Sequence, residues 1–312
     1  MTETIFSAEN LTKQYRKAHT FNKFNALDNF QMEIHRGDIY GFVGENGAGK
    51  TTLMRILSGR IRQTSGVIEI FGNSDERNLC IQRGRIGALI ETPALYPGMT
   101  ARGNLEVLRL QRGNTERYCI ADVLKTVGLE NSESKKVKDF SLGMKQRLGL
   151  AMALLGSQEF LVLDEPVNGL DPEGIVEFRE ILKRLNQEQG ITILISSHLL
   201  GELNQLATCY GFIHAGKMVE QITAEKLREK CMTYLNIRVD DVQKATAILK
   251  KTFPEFNLEI ISEHKIHIYG FSGDTGIIIK LLVTGDVNVK EMTVCSAGLE
   301  NYYMSVIKGG KL

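Results

Sequence analysis

No apolar run in this sequence approaches the roughly eighteen residues that a membrane-crossing helix needs, so work at a membrane would require spans from another chain. Neither sign of charge dominates. Lys and Arg number 38 against 37 Asp and Glu, a net charge of +1, so no electrostatic footprint for nucleic acid is expected. The five cysteines, Cys80, Cys119, Cys209, Cys231 and Cys295, show no CxxC spacing. That pattern argues against a zinc site or a disulfide framework and fits reduced thiols in a cytoplasm. The opening MTETIFSAEN lacks the basic-then-apolar order of a secretion signal. Internal repeats and low-complexity linkers are missing too. What is present is an ordinary globular balance, 43% hydrophobic and 24% charged, over 312 residues. Such a length predicts one large domain and one smaller one.

From residue 1 to about 222 short strand-like runs alternate with longer helical ones. "IYGFV", "FLVLDEP" and "ITILISSH" read as near-continuous buried strands, which predicts an α/β domain with a mainly parallel sheet covered by helices. Alternating runs near residues 4–8, 27–34 and 67–71 predict an antiparallel side sheet; Phe30, Met32 and Ile34 share one face there. "TTLMRILSG" reads as a helix with Leu53, Ile56 and Leu57 on one face and Gly59 as its C-cap. The stretch from about 92 to 156 is expected to form a helical subdomain. Beyond residue 223 the order becomes βαββαβ with a closing helix at "GLENYYMSVIKG", resembling a small α+β, ferredoxin-like domain. His264 and His267 fall on its hairpin, where a solvated role outweighs metal ligation. The expectation for this domain is regulation or dimer support.

"FVGENGAGKTTL" carries the sharpest signal. Gly44, Gly49, Lys50 and Thr51 fit G-x-x-x-x-G-K-[ST] between a buried strand and a helix. Gly44, Gly47 and Gly49 let the backbone turn tightly and aim N–H groups at phosphate oxygens. Lys50 would reach the β- and γ-phosphates and Thr51 would ligate Mg²⁺. Glu45, Asn46, Ala48 and Thr52 complete the nucleotide-contacting run. By itself this motif leaves kinase, GTPase and ATPase open. Asp164, ending the strand "FLVLD", suits the magnesium-site carboxylate, and Glu165 beside it is placed to polarise a water. His198 ends "ISSH", and Glu91 ends the strand of "RIGALIETPALYPGMT".

The series resembles the ATP-binding-cassette (ABC) proteins, motif by motif over residues 1 to about 222. "FSLGMKQRLGLA" stands where the family shows its signature: Ser141 and Gly143 are retained, while Leu142 and Met144 depart from the usual Gly and Gln. The resemblance implies a P-loop NTPase cassette and ATP hydrolysis with Mg²⁺. It implies that Tyr15 stacks on adenine and that His198 stabilises the γ-phosphoryl group. Two copies would close head to tail over ATP, Ser141 and Gly143 of one completing the site of the other. Separate transmembrane permease subunits would hold the chain at the cytoplasmic face of the cell membrane. "LIETPALYPGMTARGNL" and the aromatic closing helix are most similar to bacitracin-resistance and lantibiotic-immunity ATPases. In the lantibiotic group a glutamate links the γ-phosphate site to the membrane subunit, which identifies Glu91 and places it near the metal. An ABC ATPase with a cytosolic partner is the second reading. A small-molecule kinase would leave the signature and His198 unused.

Overall fold

The computed structural model describes residues 3–16, 23–113, 119–156, 158–197, 200–231, 233–269, 271, 273–296 and 299–307. His198 lies outside them. The chain divides into two compact units, Met1–Ala224 and Glu225–Leu312.

The first unit opens with β1 (Thr4–Arg16), β2 (Lys23–His35) and β3 (Ile39–Gly44). After α1 (Lys50–Leu57) come β4 (Ser65–Ile70), α2 (Glu76–Arg83) and β5 (Ile86–Leu89). A helical stretch follows: α3 (Ala101–Gln111), α4 (Cys119–Thr126), two 3-10 turns (Glu130–Ser132 and Val137–Asp139) and α5 (Leu142–Leu154). Then come β6 (Phe160–Asp164), α6 (Pro172–Gln189), β7 (Thr192–Ser196), α7 (Leu200–Asn204), β8 (Cys209–His214) and β9 (Lys217–Thr223). The helix α8 (Ala224–Lys230) begins at the junction.

β5, β6, β7, β3, β8 and β9 lie side by side in that order, parallel except where β9 turns back on β8. Every residue of β3, β6 and β7 is buried, the condition that makes such strands continuously apolar in sequence. β2, β1 and β4 form the antiparallel side sheet, and Phe30, Met32 and Ile34 are all buried on it. The β1–β2 hairpin is longer than hydrophobic alternation suggests. Its outer part is held by polar pairing, such as the Gln14–Asn25 side-chain bond of 3.2 Å, which leaves no periodic trace.

Two local details position the site. The C-cap of α1 is Ser58, not Gly59; Gly59 follows it in the left-handed region at φ 75°. On α5, a Cβ at Gly149 would stand 2.9 Å from Pro93 and 3.0 Å from Leu89, so glycine lets this helix press on the end of β5.

The second unit contains β10 (Thr233–Val239), α9 (Val242–Thr252), β11 (Asn257–Ser262), β12 (Lys265–Tyr269), α10 (Thr275–Thr284), β13 (Val289–Ser296) and α11 (Leu299–Ile307). Its antiparallel strands are ordered β11, β12, β10, β13, the ferredoxin-like arrangement. Leu235, Ile237, Ile266 and Ile268 on the sheet pack with Leu249, Ile278 and Leu282 on the helices. Asp241 starts α9 by accepting from the Lys244 N–H at 2.9 Å. His264 is exposed, as expected of the hairpin, but His267 is not: it is 6% exposed. β12 is an interior strand, and the His267 ring lies 4.3 Å from that of Tyr234 and 6.2 Å from that of Tyr269. Those flanking aromatic rings remove it from solvent.

Candidate nucleotide site

β3 delivers the chain into a tight loop that ends at Gly49, the N-cap of α1 at φ 116°. A Cβ at Gly49 would stand 2.5 Å from the Ala26 carbonyl oxygen, so a side chain is excluded by conformation and by space. No side chain caps α1, and its first-turn N–H groups and positive dipole end are left for an anion. Lys50 is buried, donating to the carbonyl oxygens of Gly44 at 2.6 Å and Glu45 at 3.1 Å. Its Nζ is 3.9 Å from Glu165 Oε1. Burial pulls the Lys50 ammonium below the usual lysine range, while Glu165 and Asp164 pull the other way.

The acids come from the end of β6. Thr51 Oγ1 donates to Asp164 Oδ2 at 2.7 Å, and Ser196 Oγ donates to Asp164 Oδ1 at 2.7 Å. Ser196 Oγ also accepts the Glu165 N–H at 2.9 Å. Glu165 occupies the left-handed region at φ 47°, an uncommon conformation for a side-chain-bearing residue that a functional position can require. Asn168 Nδ2 reaches Glu165 Oε2 at 3.5 Å. Paired hard oxygens on Thr51 and Asp164 suit Mg²⁺, which takes few protein ligands and completes its shell with phosphate and water.

A cleft of about 250 Å³ joins these groups to an aromatic end. Tyr15, Phe24 and Ala26 line it together with Asn46, Gly47, Gly49, Lys50, Thr51, Thr52 and Glu165. The Tyr15 and Phe24 rings stand 5.8 Å apart at 31°, and Lys13 Nζ lies 5.2 Å from the Tyr15 ring centre. Two aromatic rings and a phosphate cradle lining one cleft suit a nucleoside triphosphate, with its base on the rings and its phosphates in the cradle.

The remaining expected residues are placed elsewhere. Ser141 is the N-cap of α5, its Oγ accepting the Met144 N–H at 3.2 Å, and neither it nor Gly143 lines this cleft. Glu91, at φ 64°, is ion-paired with Arg55 of α1, whereas the Thr51 hydroxyl goes to Asp164. Three contributors escape a reading of the sequence. Ser196 lies opposite Asp164 in the β6–β7 register, Phe24 opposite Tyr15 in the β1–β2 register, and Arg55 one turn beyond Thr51 on α1. Only Arg55 has a local signal, its place in the helix after the phosphate loop.

A buried strand, a glycine loop and an uncapped helix, with an acid pair at the end of the parallel strand one place further along the sheet, define a P-loop nucleoside triphosphatase. Residues 27–168 match the family described as ABC transporter. Over 309 residues the chain is 41% identical to the bacitracin transport ATP-binding protein BcrA of Bacillus licheniformis, covering 99% of each. With the lantibiotic transport ATP-binding protein SrtF of Streptococcus pyogenes it shares 44% identity over 215 residues, 69% of this chain and 89% of that one. In fold alone it is similar to a dimeric ATP-binding cassette solved with ADP and Pi, with a TM-score of 0.64 at 24% identity over 70% of this chain and 99% of that one. The chain belongs to the ABC transporter family as an ATP-binding, ATP-hydrolysing subunit.

Proposed function

We propose that this subunit powers export of a peptide antibiotic of the bacitracin or lantibiotic kind and so confers resistance or immunity. The observation that carries the reading is the similarity to a bacitracin transport ATPase across both units, at 41% identity over 99% of each chain. The cleft supplies the chemistry. Tyr15 and Phe24 receive the base, while the Gly44–Thr52 run and Lys50 hold the phosphates. Glu165 orients the attacking water and His198 stabilises charge on the γ-phosphoryl group. Thr51 and Asp164 would hold Mg²⁺, which supplies charge neutralisation on the phosphates. Glu91 would report on that end of the site from just past the end of β5, which pairs directly with β6.

Ser141 and Gly143 sit at a helix start and do not line their own chain's cleft, which suits them to the phosphates of a second copy. ATP would thus be shared across a head-to-tail homodimer. Tyr96 and Met99, exposed in the segment after Glu91, form the surface offered to a permease subunit. Among the described residues no helix is long and apolar enough to cross a membrane, so association with the inner face of the membrane would depend on that permease.

Resistance to bacitracin and to a lantibiotic, measured in cells carrying this chain with its permease, tests the proposal. Glu165→Gln is expected to abolish resistance while the protein still binds ATP and sediments as an ATP-dependent dimer. Full resistance in the Glu165→Gln strain would remove ATP-driven export as the explanation.

A further inference from the structure

α1 reaches two carboxylates at neighbouring strand ends. From its first turn Thr51 donates to Asp164, just at the end of β6. One turn further along the helix, Arg55 pairs through its guanidinium with Glu91, just past the end of β5. β5 and β6 are parallel partners, Leu89 lying opposite Leu163, so both acids stand at the carboxyl edge of the sheet, Asp164 as the last residue of β6 and Glu91 two residues past the end of β5. Both are thereby tied to the helix that carries the phosphate loop. Glu91 is in the left-handed region at φ 64°, which fixes the direction in which its carboxylate leaves the strand.

The local charge balance gives this pair its consequence. Asp164 and Glu165 already place two carboxylates at the phosphate end of the cleft, against the single ammonium of Lys50. An unpaired Glu91 would add a third negative charge near an incoming triphosphate. We propose that Arg55 is a positioning residue for nucleotide: it holds the Glu91 carboxylate on α1 and cancels its charge, so that a glutamate can occupy this strand end without repelling the triphosphate. The inference rests on the cleft being the ATP site. Stability does not account for the pair, because Arg55 and Glu91 are 36% and 56% exposed and ion pairs so exposed add little. Arg55 also lies in the last turn of α1, where a cation favours the helix dipole. That purely structural role would operate whether or not residue 91 carries a charge.

A double-mutant cycle on the full chain separates the two roles. KM for ATP, kcat and Tm are measured for the wild type, R55Q, E91Q and R55Q/E91Q. R55Q is expected to raise KM by about fivefold with a much smaller change in kcat, the size of one exposed charge interaction. In the E91Q background the same substitution is expected to raise KM by less than about twofold, because no charge remains to be cancelled. Arg55→Lys, which keeps the charge, is expected to recover most of the loss seen in R55Q. An equal rise in KM from R55Q in both backgrounds, or no rise at all, overturns the proposal while leaving the ATP site in place. If R55Q does not fold, Arg55→Ala takes its place in the cycle: a rise in KM in the Glu91 background that shrinks below about twofold in the E91Q background supports the proposal, and equal rises in both overturn it. A wild-type protein that neither binds nor hydrolyses ATP overturns the site and this inference together.

Discussion

Ser196 and Asp164 face each other across the β6–β7 register, and the Ser196 hydroxyl donates to Asp164 Oδ1 at 2.7 Å. Because the same hydroxyl oxygen accepts the Glu165 N–H at 2.9 Å, one side chain orients both acids of the site. Asp164 is left with its other oxygen turned to Thr51.

Ser196→Ala removes the donor to a buried carboxylate and the acceptor for the Glu165 amide. Unfolding free energy is expected to fall by about 1.5–3 kcal/mol, the range for a hydrogen bond to a charged group. Turnover is expected to fall as well, since the Glu165 N–H loses the shorter of its two acceptors and keeps only the Ser196 carbonyl oxygen at 3.2 Å. Urea unfolding and steady-state hydrolysis read the two effects; unchanged values in both would mean that the strand register alone positions the acids.

Lys50→Ala and Glu165→Gln are expected to separate binding from chemistry. Lys50 is the cation of the phosphate cradle, so its loss should weaken ATP binding by about two orders of magnitude. Glu165→Gln should preserve binding and lower kcat by about two to four orders of magnitude, the span of a general-base contribution. Calorimetric titration beside phosphate-release assays distinguishes them. Equal affinity losses in both variants would contradict the division of roles.

Tyr15→Ala and Phe24→Ala test the aromatic end of the cleft, where the two rings stand 5.8 Å apart. Each is expected to raise KM for ATP by about fivefold or more, the scale of one lost base–aromatic contact. Affinity for inorganic triphosphate, which has no base, should stay at its wild-type value. A Phe24 variant with normal KM would confine base binding to Tyr15.

The second unit should weaken in acid through His267. Burial first, and Lys265 next, hold its imidazole below the ordinary value of 6.5, against the opposing pull of Glu259. The folded unit favours the neutral ring, whereas the unfolded chain takes up a proton as pH falls through about 6.5. Stability is therefore complete above that pH and declines below it. Hydrogen exchange of the β10 and β12 amides at pH 7 and pH 5 should show faster opening at pH 5, with a smaller difference in His267→Phe. Matching pH dependence in variant and wild type would assign the effect to other groups.

The parts of this protein legible in its sequence are those written in contiguous residues. Gly44 to Thr51 announces a phosphate loop because one turn and one helix start make the whole cradle. Continuous apolar runs mark β3, β6 and β7, and Asp241 marks the start of α9, because burial and capping act over a few residues. The βαββαβ order likewise follows from successive periodicities, and β10 to β13 form that fold.

Tertiary structure alone decided which distant residues meet. Ser196 reaches Asp164 because β7 pairs with β6, Phe24 reaches Tyr15 because polar contacts extend a hairpin beyond its hydrophobic pattern, and Arg55 reaches Glu91 because α1 spans the ends of two neighbouring strands. His267 left solvent because β12 runs inside its sheet, between β11 and β10, with Tyr234 and Tyr269 beside the ring. Hydrophobic periodicity records which side of an element is buried; strand order and register record what lies opposite, and these are set by the packing of the whole sheet.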